Sequence, residues 1–165
     1  MEIFGQIVGF LAIGTTIVIY SQKDRKKLLL YKLLADILWI SHFMLIGAYS
    51  GMATMLIAIF RELLFVNRDK YRVFQNQIWV VLFSGAYLIS AYFTWRNIFS
   101  IFPAIASTIA TIGFWKREVS QIRYMSLIVS VFMLAYGIAM GSIATIFNEI
   151  FTMSSIGITI YRQYK

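Results

Sequence analysis

SHFMLIGAYSGMATMLIAIFRELLF, residues 41–65, is apolar at most positions yet carries His42, Arg61 and Glu62. In lipid, each of these ionisable groups costs free energy that a partner inside the protein has to offset. The solvent around this stretch therefore decides both fold and function. The rest of the chain indicates that solvent: 60% of its 165 residues are hydrophobic, 13% are charged, and the mean hydropathy is +0.76. A soluble domain is nearer about half apolar and about a quarter charged. The excess runs the whole length, so the expectation is an all-α membrane protein crossing the bilayer many times.

A crossing helix needs about 20 mostly apolar residues. Charge clusters and glycines divide the chain into seven such runs, 3–20, 28–49, 51–66, 77–94, 97–115, 122–140 and 142–161. The first opens without a basic leader or an A-x-A cleavage site and reads as a span, not a signal peptide. Thirteen of the fifteen Lys and Arg residues fall on one side of these spans: Lys23 to Lys32, Arg68 to Arg72, Lys116 to Arg123, and Arg162 with Lys165. By the positive-inside rule that side is cytoplasmic, so the N-terminus is expected outside and the C-terminus inside. The net charge of +8 is thus read as a topology signal, not as a nucleic-acid surface. Trp79, Trp95 and Trp115 sit at span ends as interfacial anchors would, whereas Trp39 lies deep in the second span.

The composition narrows the chemistry. With no cysteine and one histidine, neither a disulfide framework nor a thiolate or multi-histidine metal site can form. No lysine lies deep in the seventh span for a Schiff base, no nucleotide motif is present, and no nucleophile–base–orienter set appears. Neither enzyme activity nor a cofactor is expected.

Seven spans divide as three, one and three. At an offset of 90 residues Gly47 aligns with Gly137, Gly51 with Gly141, and Tyr71-Arg72 with Tyr161-Arg162. Because a triplet of spans is odd in number, a fourth, linking span lets both triplets keep one orientation, as parallel repeats. The expected units are a three-helix bundle over 1–72, a linker helix over 73–96 and a second bundle over 97–165. Gly47-x-x-x-Gly51 fits either a helix-packing motif or a tight hairpin, and its place at a turn favours the hairpin.

Depth places the ionisable groups. His42 and Glu149 each lie seven residues from the outer end of their spans, about 10 Å down, with Asn148 beside Glu149. Arg61 and Glu62 lie deeper, near the midplane, and Asp36 is about one turn further in, where it could pair with Arg61. Facing lipid, Asp36, Arg61, Glu62 and Glu149 together would cost on the order of 10 kcal/mol. They are therefore expected to face the interior, with snorkelling as the competing account for Arg61 and Glu62. For His42 the competing account is a neutral core imidazole. His42, Asn148 and Glu149, with Trp39 and Tyr136 as stacking faces, form the expected solute site, in a cavity open to the outer side. Asp36, Arg61 and Glu62 form an expected polar layer beneath it. Pro103 in the fifth span is an expected kink or hinge, with Ser107 and Thr108 near enough to satisfy freed backbone groups.

Three stretches carry a resemblance: residues 41–65 above, FPAIASTIATIGFWKREVSQIRYMSL at 102–127, and GSIATIFNEIFTMSSIGITIYRQY at 141–164. The chain resembles the YgjV family of bacterial inner-membrane proteins. That resemblance implies the PQ-loop superfamily of SWEET, semiSWEET and PnuC transporters, a SWEET-like 3+1+3 fold, and a solute path between two three-helix bundles. In SWEET proteins an asparagine in the last helix of each repeat contacts the solute. Asn148 takes that place in the second repeat, and Ala58 aligns with it in the first. The chain departs from SWEET proteins in having one proline, Pro103, where they carry one in each of four helices, and it lacks the PQ dipeptide.

The leading expectation is a multi-pass inner-membrane transporter or facilitator of a small polar solute, coupled to a proton or cation through Glu149. A non-transporting assembly or sensor component and a narrow channel are the alternatives. The expected partners are the bilayer and the solute, without nucleic acid, and with a homo-oligomer left open.

Overall fold

The structure, a computed structural model, describes residues 2–163, so Lys165 lies outside the described residues, and for Arg162 only the backbone is described. The described chain forms seven α-helices: α1 (Glu2–Ser21), α2 (Arg25–Leu45), α3 (Tyr49–Val66), α4 (Ile78–Phe93), α5 (Phe102–Trp115), α6 (Val119–Ala139) and α7 (Ile143–Gln163). Short 3-10 turns at Arg72–Gln75 and Ile98–Ile101 precede α4 and α5. Each helix coincides with one of the expected runs to within a few residues. Five stretches are long and apolar enough to cross a membrane alone: α2, α3, Ile98–Trp115, α6 and Ile143–Tyr161. Ile3–Thr16 and Ile78–Phe93 are shorter apolar helices.

Local chemistry sets the boundaries. Asp24 starts α2 as its N-cap, its carboxylate accepting the Lys27 N–H at 2.8 Å. Gly47 (φ +72°) and Gly141 (φ +63°) end α2 and α6 in the left-handed conformation that glycine adopts without strain. The basic residues also close helix ends. Arg25 donates to the carbonyls of Phe65 (3.3 Å), Phe114 (2.8 Å) and Lys116 (3.0 Å), closing the open ends of α3 and α5. Arg68 donates to the Trp115 carbonyl at 2.7 Å and lies 3.5 Å over its ring, so Trp115 is a buried element of the basic end instead of the expected interfacial anchor.

Pro103 differs from expectation in position. The 3-10 turn Ile98–Ile101 takes up the start of the fifth span, so Pro103 falls in the first turn of α5, where a missing N–H is tolerated. The carbonyl that a mid-helix proline would free, that of Phe99, accepts the Phe102 N–H. Ser107 and Thr108 are not needed to satisfy it, and no mid-helix kink arises from it.

Neighbouring helices close into a ring in the order α1, α2, α3, α5, α6, α7 and back to α1. Helix α4 packs outside it against α3 and α5, burying Tyr87 and Ala91. Helix starts repeat at a fixed spacing: Val119 stands 94 residues after Arg25, and Ile143 stands 94 after Tyr49. The turn glycines Gly47 and Gly141 keep the same spacing. So do the closing hydrogen bonds, Ala48 N–H to Phe43 O and Ser142 N–H to Gly137 O, both at 2.9 Å. The sequence offset of 90 is thus displaced by four residues, about one helical turn. Helices tolerate that slip because a one-turn shift returns residues to nearly the same face. The Tyr-Arg pairs do not correspond, since Tyr71 lies beyond α3 whereas Tyr161 is still inside α7.

Ring closure between the chain ends depends on α1 lacking bulk. A Cβ on Gly9 would stand 2.4 Å from the Ala144 Cβ and 2.7 Å from His42 Nδ1. Gly5, one turn earlier, faces Leu45 and Ile46 at about the same closeness. Gly5-x-x-x-Gly9 is therefore the small-residue packing motif of this fold, and Gly47-x-x-x-Gly51 is a hairpin. Gly9→Ala is expected to destabilise the protein by about 1–3 kcal/mol, the usual range for overpacking. A lowered midpoint in thermal unfolding in detergent would show it, and an unchanged midpoint would mean that α1 closes less tightly than described.

Candidate functional site

Two cross-helix clamps seal the end of the ring opposite the basic loops. His42, on α2, is fully buried, with Nδ1 2.8 Å from the Gly5 carbonyl of α1 and Nε2 2.8 Å from Ser142 Oγ at the head of α7. Because the Gly5 carbonyl only accepts, Nδ1 carries a proton, and in the neutral imidazole Nε2 then accepts from Ser142. Tyr136, which stands 94 residues after His42, does the equivalent on α6. Its hydroxyl accepts the Gly51 N–H at 3.1 Å and shares a 2.8 Å hydrogen bond with Ser50 Oγ at the head of α3.

Below lie the buried charges. Lys32 pairs with Asp36 one turn along α2. Arg61 pairs with its neighbour Glu62 at 2.6 Å and donates through its other amino group to Ser107 O (3.1 Å) and Thr111 Oγ1 (2.9 Å) of α5. Its guanidinium also lies 5.7 Å from the Tyr87 ring and 5.1 Å from the Phe114 ring. The expected Arg61–Asp36 pair is thus replaced by two others. Lys32 reaches Asp36 within its own helix, while the carbonyl and hydroxyl of α5 draw Arg61 the other way. Asp36 still lies within electrostatic range of both Arg61 and Glu62. Snorkelling is excluded, because Arg61 is 2% exposed and Glu62 fully buried.

Between α1, α2, α3, α6 and α7 lies a cavity of about 80 Å³, room for several waters or a small solute. Its polar wall holds Glu149, Asn148 and Thr152 of α7, Ser130 of α6 and Lys32 of α2, and its aromatic wall is Trp39 and Phe43. Asn148 Nδ2 donates to Glu149 Oε1 at 2.9 Å. Asn148 Oδ1 and Thr152 Oγ1, both buried, have no partner within the protein. Glu149 is 6% exposed and, among the described residues, forms no ion pair. Lys32 is the charged group near enough to act on it.

A model of one family, Imp-YgjV, bacterial inner membrane protein, matches residues 3–165. The chain belongs to that family. It is therefore an inner-membrane protein of bacteria, and its apolar helices are those of a multi-pass chain. No curated protein and no solved structure matches it.

Within this Imp-YgjV protein the residues singled out from sequence fall into separate places. Trp39, Asn148 and Glu149 share the cavity wall. His42 and Tyr136 do not; they stand above it with their polar atoms occupied by helix-end partners. The cavity consequently does not open beside His42 as expected. It runs from Phe43 and Thr145 toward Lys32 and Ile19, on the basic side. Asp36, Arg61 and Glu62 form a layer of their own toward α4 and α5, and Pro103 does not line the cavity. At the structural spacing of 94, the residue equivalent to Asn148 is Thr54, not Ala58. Lys32, Ser130 and Thr152 were missed from sequence. Lys32 reads as one more topology charge, and the available signal was its i,i+4 spacing to Asp36 on a helix face.

Arg61→Met leaves Glu62 and Asp36 short of a counter-charge and is expected to cost about 3–5 kcal/mol. Adding Glu62→Gln is expected to restore most of the loss in thermal unfolding. A double variant as unstable as the single would locate the effect in the lost bonds to α5 instead.

Proposed function

We propose that this protein is a secondary transporter or facilitator of a small polar solute. In this reading α1–α3 and α5–α7 are two parallel three-helix units joined by α4, SWEET-like in plan, with the N-terminus outside. The observation that carries it is the cavity between helices of both units, walled by a carboxylate without an ion pair and by polar atoms without partners. Buried polar groups are satisfied in most proteins, and a cluster of exceptions marks a place where a ligand supplies the missing bonds. The common spacing of 94 residues supports two units of like orientation, and the closed outer end supports an inward-facing state. Outward opening then requires Ser142 to leave His42 and Ser50 to leave Tyr136. These two hydrogen bonds join one unit to the other and are the outer gate of an alternating-access cycle.

Two experiments test this. Reporter fusions in the 67–76 and 116–118 loops are expected on the cytoplasmic side, and a fusion at 95–97 outside; the reverse pattern overturns the orientation. Proteoliposomes challenged with gradients of urea, glycerol and methylammonium chloride are expected to equilibrate at least one of them faster than protein-free vesicles. Glu149→Gln is expected to abolish the pH dependence of that flux while leaving the fold intact. If no solute is accelerated, the non-transporting reading replaces this one.

A further inference from the structure

The atoms left free in the cavity wall specify what it binds. Asn148, in the cavity wall, spends one of its two amide N–H donors on Glu149, because an ionised carboxylate only accepts, and its buried Oδ1 is left without a partner. Thr152 Oγ1 is equally unpartnered. Thr145 and Thr16 are already engaged, with Ser142 Oγ at 2.6 Å and Ala12 O at 3.3 Å. The lining donor of highest charge, the Lys32 ammonium, is held by Asp36. Three groups able to accept remain without a salt bridge or a protein partner for at least one lone pair: one carboxylate, one amide oxygen and one hydroxyl.

Charge leads to the same place. Lys32 and Asp36 cancel, as do Arg61 and Glu62. Glu149 is left as the cavity's carboxylate without an ion pair, so in its ionised form it is a single negative charge there. An anion would meet that charge as a like charge, and a neutral solute would leave it uncompensated. A divalent ion would overcompensate it beside Lys32. The opposite wall is Trp39 and Phe43, whose ring faces attract cations and whose apolar surface suits a weakly hydrated one better than an alkali ion.

We propose that the cavity binds a small monovalent cation bearing N–H donors, of the ammonium or primary-amine class. Glu149 neutralises it, Asn148 Oδ1 and Thr152 Oγ1 accept its protons, and Trp39 and Phe43 cover its apolar side. This rests on the transporter reading for its biological sense, but the binding chemistry stands or falls separately.

The test is thermal stabilisation of the purified full-length protein by methylammonium chloride, against sodium chloride, urea, sodium acetate and tetramethylammonium chloride. Methylammonium is expected to raise the unfolding midpoint more than any of the other four, since tetramethylammonium lacks N–H donors and the rest lack the charge or the apolar face. Glu149→Gln is expected to weaken the apparent affinity by about tenfold or more, the scale of a hydrogen bond to a charged group. Thr152→Val, nearly isosteric and without the acceptor, is expected to weaken it about two- to tenfold. Equal stabilisation by sodium, urea, acetate or tetramethylammonium overturns the proposal, as does an unchanged methylammonium response in both variants. Methylammonium binding with no flux of any solute into proteoliposomes would sink the transporter reading and keep this one. Flux of urea or glycerol with no methylammonium binding would do the opposite.

Discussion

The closure of the helix ring depends on one imidazole. His42 joins three helices, α2 on which it sits, α1 through the Gly5 carbonyl and α7 through Ser142. It fits because Gly9 has no side chain where its ring lies. Lipid gives apolar helices no hydrophobic reason to associate, so close backbone approach and interhelical hydrogen bonds have to supply the attraction. At the junction of the chain's two ends, His42 and the glycines of α1 provide both. Tyr136 does the corresponding work between α6 and α3, where a Cβ on Gly51 would stand 3.1 Å from the Phe43 ring and 3.2 Å from the Tyr136 ring, a looser fit than at Gly9.

Once the ring is closed, water is excluded and every buried charge needs a partner. The partners are local: Lys32 with Asp36 on one helix, Arg61 with its sequence neighbour Glu62. Arg61 then reaches across to Ser107 and Thr111, so the same side chain that neutralises a carboxylate also ties α3 to α5. A buried pair of this kind adds little net stability over apolar packing, but losing half of it is costly. Glu149 departs from the pattern, with an amide and a nearby hydroxyl in place of a salt bridge. A carboxylate left in that condition beside a cavity is unfavourable for folding alone, and the proposed ligand would complete it.

The two ends of the ring are built differently. The end at His42 and Tyr136 is held by hydrogen bonds between helices, each worth about 0.5–1.5 kcal/mol. At the basic end, arginines grip exposed carbonyls, Arg25 on α3 and α5 and Arg68 on α5, with charge-assisted bonds about twice as strong. The basic end is therefore the more tightly held of the two.

The seven helices, their limits and the concentration of basic residues on one side were legible in the sequence. Hydropathy and charge act residue by residue, through transfer from water to lipid, and need no knowledge of neighbours. The burial of Asp36, Arg61, Glu62 and Glu149 was legible for the same reason: lipid exposure is too costly at their depth. Partner and register were not. Whether Arg61 meets Asp36 or Glu62, and whether Gly47 corresponds to Gly137 or Gly141, turns on which atoms of other helices come within a few ångströms. A slip of one helical turn leaves the apolar pattern almost unchanged. Only tertiary packing separated His42 and Tyr136, as clamps between helix ends, from Asn148 and Glu149, as the wall of a cavity. It did so because hydrogen bonds are directional and short, whereas the pattern that sequence displays is neither.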